Sequence, residues 1–165
     1  MVRTGTIGRR TILLAADHAG YELKSELTAH VADLGYKPLD MGTNSTDPVD
    51  YPDFAGRLAQ AIAAGRAPRG VLICGAGIGM SIAANRYAGV RAANCLTEQM
   101  AALAREHNDA NVLCLGSRLL EPADAKKILW TFLDTDFGAG RHQRRVEKIE
   151  RAEARSSGAH GMFAR

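Results

Sequence analysis

The sequence predicts an α/β fold: a Rossmann-like three-layer sandwich, with a five-stranded parallel sheet and helices on both faces. Three observations carry this. Short apolar runs of strand length alternate along the chain with segments whose apolar residues recur at helical spacing. Glycine or proline punctuates most of the junctions. The chain has 165 residues, 46% of them hydrophobic, which suits one domain with an ordinary core. Strands joined by helical crossovers of this length give right-handed connections and a parallel sheet covered on both faces.

The elements follow in order. Thr11–Ala16 is a continuous apolar run, and Leu23, Leu27, Val31 and Leu34 then recur at helical spacing until Gly35. Residues 36–41 form a weaker strand, whose Pro38 points to a sheet edge, and a turn-rich polar loop follows over 42–51. Pro52 opens a helix with Phe54, Leu58, Ala61 and Ile62 on its buried face, closed by Gly65. Residues 71–74 are the third strand. A glycine turn over 75–79 leads into a short helix over 80–87, and 90–96 reads as the fourth strand. A helix over 98–106, a buried strand over 112–115 and a proline-started helix over 122–133 come next, and Gly138 and Gly140 break the chain after them. The last helix, 141–154, is highly charged, with Val146 and Ile149 as its clear apolar contacts, so it suits docking on a partner subunit. Residues 1–10 read as a loose extension, 11–155 as the single domain and 156–165 as a flexible tail.

Composition narrows the function. Lys and Arg number 21 against 18 Asp and Glu, a net charge of +3, and aromatic residues make up 5%. A nucleic-acid surface clusters positive charge and stacking rings more strongly, so an anionic small molecule is the expected partner. No run approaches the roughly 20 apolar residues of a membrane span. Cys74, Cys95 and Cys114 are odd in number and lack C-x-x-C spacing, which argues against a disulfide framework or zinc ribbon and fits a reducing cytoplasm.

In open parallel sheets ligands bind beyond the carboxyl ends of the strands. Asp17 and His18 lie at such an end, as do Cys74 and the loop Gly75-Ala76-Gly77-Ile78-Gly79. Glycines bring main-chain amides close to a ligand, and the helix start favours an anion or a developing oxyanion. A G-x-G-x-G loop also suits a nucleotide or a purely structural turn. Cys74, at the head of this loop, is a candidate base; Cys95 and Cys114, inside apolar strands, are expected to be inert. Asp17 suits ligand contact or helix capping. His107, Asn108, Asp109 and Asn111 form a polar cluster before the fifth strand, without metal-ligand spacing. Arg118, and Arg141 with Arg145 four residues on, offer guanidinium forks for a phosphate.

Taken together, Ala16-Asp17-His18-Ala19-Gly20, Asp50-Tyr51-Pro52-Asp53, the run from Ile73 to Asn85, His107-Asn108-Asp109-Ala110-Asn111, Gly116-Ser117-Arg118 and Gly140-Arg141-His142 resemble type B ribose-5-phosphate isomerase. The resemblance implies interconversion of ribose 5-phosphate and ribulose 5-phosphate through an enediolate. Relatives with the same pattern act on galactose 6-phosphate, allose 6-phosphate or tetrulose phosphates, and a non-catalytic phosphosugar or nucleotide sensor is the rival from another class. By resemblance, Cys74 moves a proton between C1 and C2 and His107 opens the sugar ring, a step that some relatives assign to the position of His18. Asp17 and His18 then contact the sugar, Tyr51 lines the pocket, the amides of 75–79 hold the enediolate, and Asn108 lies beside the sugar hydroxyls. Arg118, Arg141 and Arg145 match phosphate-binding arginines. The family implies no metal or organic cofactor, and a homodimer with each site built from two chains, with pairing of dimers left open. Ala76 departs from the family, which often has Thr or Ser there.

Overall fold

A computed structural model describes residues 10–159, with side chains described to residue 151. The strands are β1 (Thr11–Ala16), β2 (Lys37–Asp40), β3 (Arg69–Cys74), β4 (Ala92–Asn94) and β5 (Val112–Gly116). The helices are α1 (Tyr21–Asp33), α2 (Tyr51–Ala63), α3 (Ile78–Ala84), α4 (Glu98–Asn108), α5 (Pro122–Asp134) and α6 (Gln143–Ala159), with single 3-10 turns at His18–Gly20 and Gly140–His142. All strand pairs are parallel, in the order β2-β1-β3-β5-β4. The chain steps outward from β1 to β2, then crosses back to β3 and proceeds the other way. The carboxyl ends of β1 and β3 therefore flank the switch in strand order, where such sheets form a crevice.

Two-sided burial explains the unbroken apolar strands. In β1, Leu13 and Ala15 pack with Leu58 of α2 and Met80 of α3, while Ile12, Leu14 and Ala16 face Leu27 and Val31 of α1 and Ile128 and Phe132 of α5. Helices α2 and α3 cover one face; α1, α4 and α5 cover the other. Pro38 lies in the edge strand β2, where its missing amide leaves no ladder bond unmade.

Several boundaries differ from the sequence expectation for identifiable reasons. Helix α3 starts at Ile78, ahead of residue 80, because Gly77 takes φ +77° and turns the chain directly into the helix. Strand β4 has three residues, where seven were expected over 90–96. The side-chain amide of Asn85 accepts from the Ala92 amide at 2.8 Å and donates to its carbonyl at 2.9 Å, standing in for a further strand and sealing this edge. Helix α4 runs to Asn108, past 106, and ends on Asp109 at φ +47°. The expected helix over 141–154 is a 3-10 turn followed by α6, which continues to Ala159 into the segment read as a tail. The rest of that tail and residues 1–9 of the extension lie outside the described residues.

Candidate active site

The residues singled out from sequence fall into two groups, at opposite ends of the sheet. The first group surrounds the carboxyl ends of β1 and β3. Asp17 is 7% exposed; its amide donates to the carbonyl of Ile73 at 3.2 Å, and its carboxylate accepts the Gly20 amide at 3.1 Å. It thus caps the turn after β1 and ties that turn to β3. Gly20 is required there, since a Cβ would sit 2.5 Å from the Ile73 carbonyl oxygen. His18 accepts the Val49 amide on Nδ1 at 3.2 Å, so its neutral ring carries the proton on Nε2.

Cys74 closes β3 and is 6% exposed. The Gly77 amide donates to its Sγ at 3.1 Å, while the Ser117 amide donates to its carbonyl at 2.8 Å. The sulfur is thereby fixed under the glycine loop. A Cβ on Gly79 would meet Cζ of Tyr51 at 2.7 Å, and one on Gly75 would meet the Arg118 guanidinium at 3.1 Å. Tyr51 and Arg118 consequently wall the loop on either side of Ala76, Gly77 and Ile78. Beneath it lies Asn94, which sequence reasoning missed: its side chain donates to the Ala76 carbonyl at 3.3 Å, and a Cβ on Gly77 would sit 2.4 Å from its Oδ1. Its one signal in the sequence is a polar residue closing the otherwise apolar Ala92-Ala93-Asn94 strand.

The second group lies at the amino ends of the strands. Helix α4 runs back along the sheet from the end of β4 to the start of β5, so its last residues, His107 and Asn108, come to rest near the level of Val112 and Gly70. From Gly70 to Cys74 the strand extends about 13 Å, at about 3.3 Å per residue. The Gly138 amide donates to the Glu106 carbonyl at 2.9 Å and docks the segment after α5 here. His142 stacks on His107 with ring centroids 4.3 Å apart and planes 10° from parallel. Arg141 and Arg145 are exposed on this same segment. Asn108 lines an open cavity of about 420 Å³ together with Arg91, Ala104 and Ile149. One chain therefore gathers Asp17, His18, Tyr51, Cys74, the loop and Arg118. It does not bring His107, Asn108, Arg141 or Arg145 to them.

Electrostatics separates the candidates further. Burial pushes the Cys95 thiol up to about 11 and the Cys114 thiol well above the usual 9.0, so both stay protonated and inert near neutrality. Partial burial, the His107 ring and the guanidinium groups of Arg141 and Arg145 hold His142 below the usual 6.5, against the opposing influence of Glu106. Among the described residues no group of three or more His, Cys, Asp or Glu side chains could hold a metal ion, and no helix is long and apolar enough to cross a membrane.

The profile of the Ribose/Galactose Isomerase family matches residues 12–149, spanning every strand and both groups of site residues. The chain belongs to the ribose/galactose isomerase family. A relative within it, ribose-5-phosphate isomerase B of Escherichia coli (strain K12), is 44% identical over 146 residues, covering 88% of this chain and 98% of that protein. Ribose-5-phosphate isomerase B from Clostridium thermocellum superposes with a TM-score of 0.87 at 44% identity, over 88% of this chain and 99% of that one. The Mycoplasma genitalium enzyme, solved with bound ribulose-5-phosphate, superposes with a TM-score of 0.84 at 42% identity, over 87% and 96% of the two chains. Both solved structures thus share the fold over nearly nine tenths of this chain.

Proposed function

We propose that this chain is an isomerase that interconverts ribose 5-phosphate and ribulose 5-phosphate through an enediolate, in active sites each completed by a second copy of the chain. The observation that carries the chemistry is Cys74, its Sγ bonded by the Gly77 amide at 3.1 Å inside a loop walled by Tyr51 and Arg118, in a chain 44% identical to a ribose-5-phosphate isomerase B. An aldose–ketose isomerase needs a base, a donor set for an enediolate and a group that opens the sugar ring. Cys74, as the thiolate, takes the C2 proton of the open-chain aldose to leave an enediolate with the charge on O1 and the hydroxyl proton still on O2. That hydroxyl proton passes from O2 to O1, and Cys74 returns its proton to C1, which leaves a hydroxyl at C1 and a carbonyl at C2. The loop amides hold the developing negative charge. Asp17, whose carboxylate is fixed by Gly20, and His18 contact the sugar.

Ring opening is given to His107, and phosphate clamping to Arg141 and Arg145 together with Arg118. The first three stand at the far end of the sheet from Cys74, so they serve the site of a second chain. That chain has a surface to use: Ile78, Ile82, Leu96, Met100 and Leu103 are 39–63% exposed, on the elements flanking β4. The final helix, with Val146 buried and Ile149 44% exposed, is also free to pack on a second copy. Three free cysteines suit a reducing compartment, and we place the enzyme in the cytoplasm.

A coupled assay offering ribose 5-phosphate, allose 6-phosphate, galactose 6-phosphate and erythrose 4-phosphate, with and without chelator, tests the function. The highest kcat/KM is expected on ribose 5-phosphate, unchanged by chelator. Turnover confined to another sugar phosphate reassigns the substrate, and phosphosugar binding without turnover turns the chain into a sensor.

A further inference from the structure

His142 belongs to no role assigned so far, yet its ring stacks closely on another ring, that of His107. Its position is built by the backbone. A Cβ on Gly138 would approach the Glu106 carbonyl oxygen to 3.1 Å, so glycine lets the chain hug the end of α4 there without a tight contact. Ala139 and Gly140 take φ of +46° and +52°, and the His142 amide donates to the Ala139 carbonyl at 2.9 Å. This knot sets the His142 ring face to face with His107, at 4.3 Å and 10°.

We propose that His142 is a positioning residue that clamps the His107 ring in the orientation needed to open the furanose form of the substrate. The inference rests on the assignment of ring opening to His107. A histidine in the last turn of a helix has free rotation about two side-chain bonds, and a stacked ring removes most of it. Each such restriction matters because a misplacement of about 1 Å in a reacting group costs about a hundredfold in rate. Two stacked imidazoles also share one proton more readily than two, since like charges this close repel. The groups facing His142 are His107 and Glu106 of α4, Arg141 of its own turn and Arg145 of α6; three of these four oppose its protonation. His142 therefore acts as the neutral plate of the pair, against a His107 ring whose Nε2 lies 4.0 Å from Glu106 Oε1.

Substrate chemistry supplies the test. Ribose 5-phosphate is a furanose and must be opened, whereas ribulose 5-phosphate has its C5 oxygen phosphorylated and cannot close a five-membered ring. Deuterium exchange at C1 of ribulose 5-phosphate thus reports proton transfer without ring opening. His142→Ala is expected to lower kcat on ribose 5-phosphate by about tenfold to a hundredfold with KM little changed, and to leave the C1 exchange at the wild-type rate. His142→Phe, which keeps a stacked ring, is expected to restore most of the turnover. Wild-type turnover in the alanine variant, equal losses in turnover and exchange, or no recovery with phenylalanine would each overturn the role. His107→Ala, run alongside, separates the two claims: full ribose turnover there removes the ring-opening assignment itself. A His107→Ala defect without a His142→Ala defect leaves that assignment standing and eliminates His142.

Discussion

The Val49 amide donates to His18 Nδ1 at 3.2 Å, linking the turn after β1 to the loop before α2 across 31 residues of chain. The bond fixes which nitrogen is available to a ligand. The neutral His18 ring is expected as the Nε2–H tautomer, read from long-range proton–nitrogen correlations. A dominant Nδ1–H signal would show that the Val49 bond is not made in solution.

Cys74 should be the reactive thiol of the three. Cys95, pushed up to about 11 by burial, and Cys114, pushed well above its ordinary value by burial, remain protonated at pH 8 and lie within the core. Iodoacetamide at that pH is expected to label Cys74 first, with ribulose 5-phosphate protecting it, as read by peptide mass spectrometry. Cys74→Ala should remain folded and lose about 10²–10⁴-fold in turnover, the usual contribution of a general base. Equal labelling of the three thiols, or near wild-type turnover in the variant, would move the base elsewhere.

Two defective chains should repair one another. A Cys74→Ala chain keeps a sound His107 end, and an Arg141→Ala chain keeps a sound Cys74 end. After subunit exchange, the mixed dimer contains one site with both groups and is expected to regain activity that neither parent has. A chain that carries both substitutions should rescue neither. Absence of rescue after exchange has been verified by mass would mean that each site is built within one chain.

Ala76 stands in the glycine loop with its carbonyl held by Asn94, and its side chain is half-buried. Ala76→Thr is expected to raise kcat on ribose 5-phosphate by a few-fold to about tenfold, with KM little altered, because one neutral hydrogen bond made to the enediolate contributes about 0.5–1.5 kcal/mol. If turnover instead rises on one sugar phosphate and falls on another, the position sets specificity.

Lys24 is fully buried and pairs with Asp40, whose side chain is 42% exposed and also accepts the Gly42 amide at 2.8 Å. The two partners are unequal. Removing the carboxylate strands an ammonium group without water, while removing the lysine leaves a carboxylate that water still reaches. Asp40→Ala should therefore cost about 3 kcal/mol, near the lower end for breaking a buried pair. That corresponds to a Tm lower by about 6–12 °C in a chain of this size. Lys24→Met is expected to cost clearly less. Thermal unfolding of both variants checks the order, and a reversed order would show that the Lys24 ammonium is not left stranded when the carboxylate is removed.

Much of the fold was legible because its inner strands β1, β3 and β5 are buried on both faces and its helices on one. Thr11–Ala16 could be nothing but an inner strand, and Pro38 marked the edge. Strand β4 was misjudged because Asn85, seven residues earlier, satisfies Ala92, and no local pattern announces a side chain acting as a strand. Within the site, the glycines predicted close approach, and Tyr51, Arg118 and Asn94 now identify what approaches. That His107 and Cys74 stand at opposite ends follows from helix direction alone, since a helix joining parallel strands must run against them. The ring of His142 was not legible, because its stack depends on the left-handed Ala139 and Gly140 that turn the chain back on α4.

The proposed site, with its two halves at opposite poles of one chain, also constrains symmetry. If copies joined pole to pole in a single direction, each addition would leave an open end, and the product would be a filament of indefinite length. Side-by-side copies related by a twofold axis perpendicular to the strands satisfy both poles at once and leave nothing unmatched. Closure at two is then expected from where the half-sites sit, and a surface change that favours a head-to-tail contact over the twofold one is expected to exchange a closed pair for an open chain.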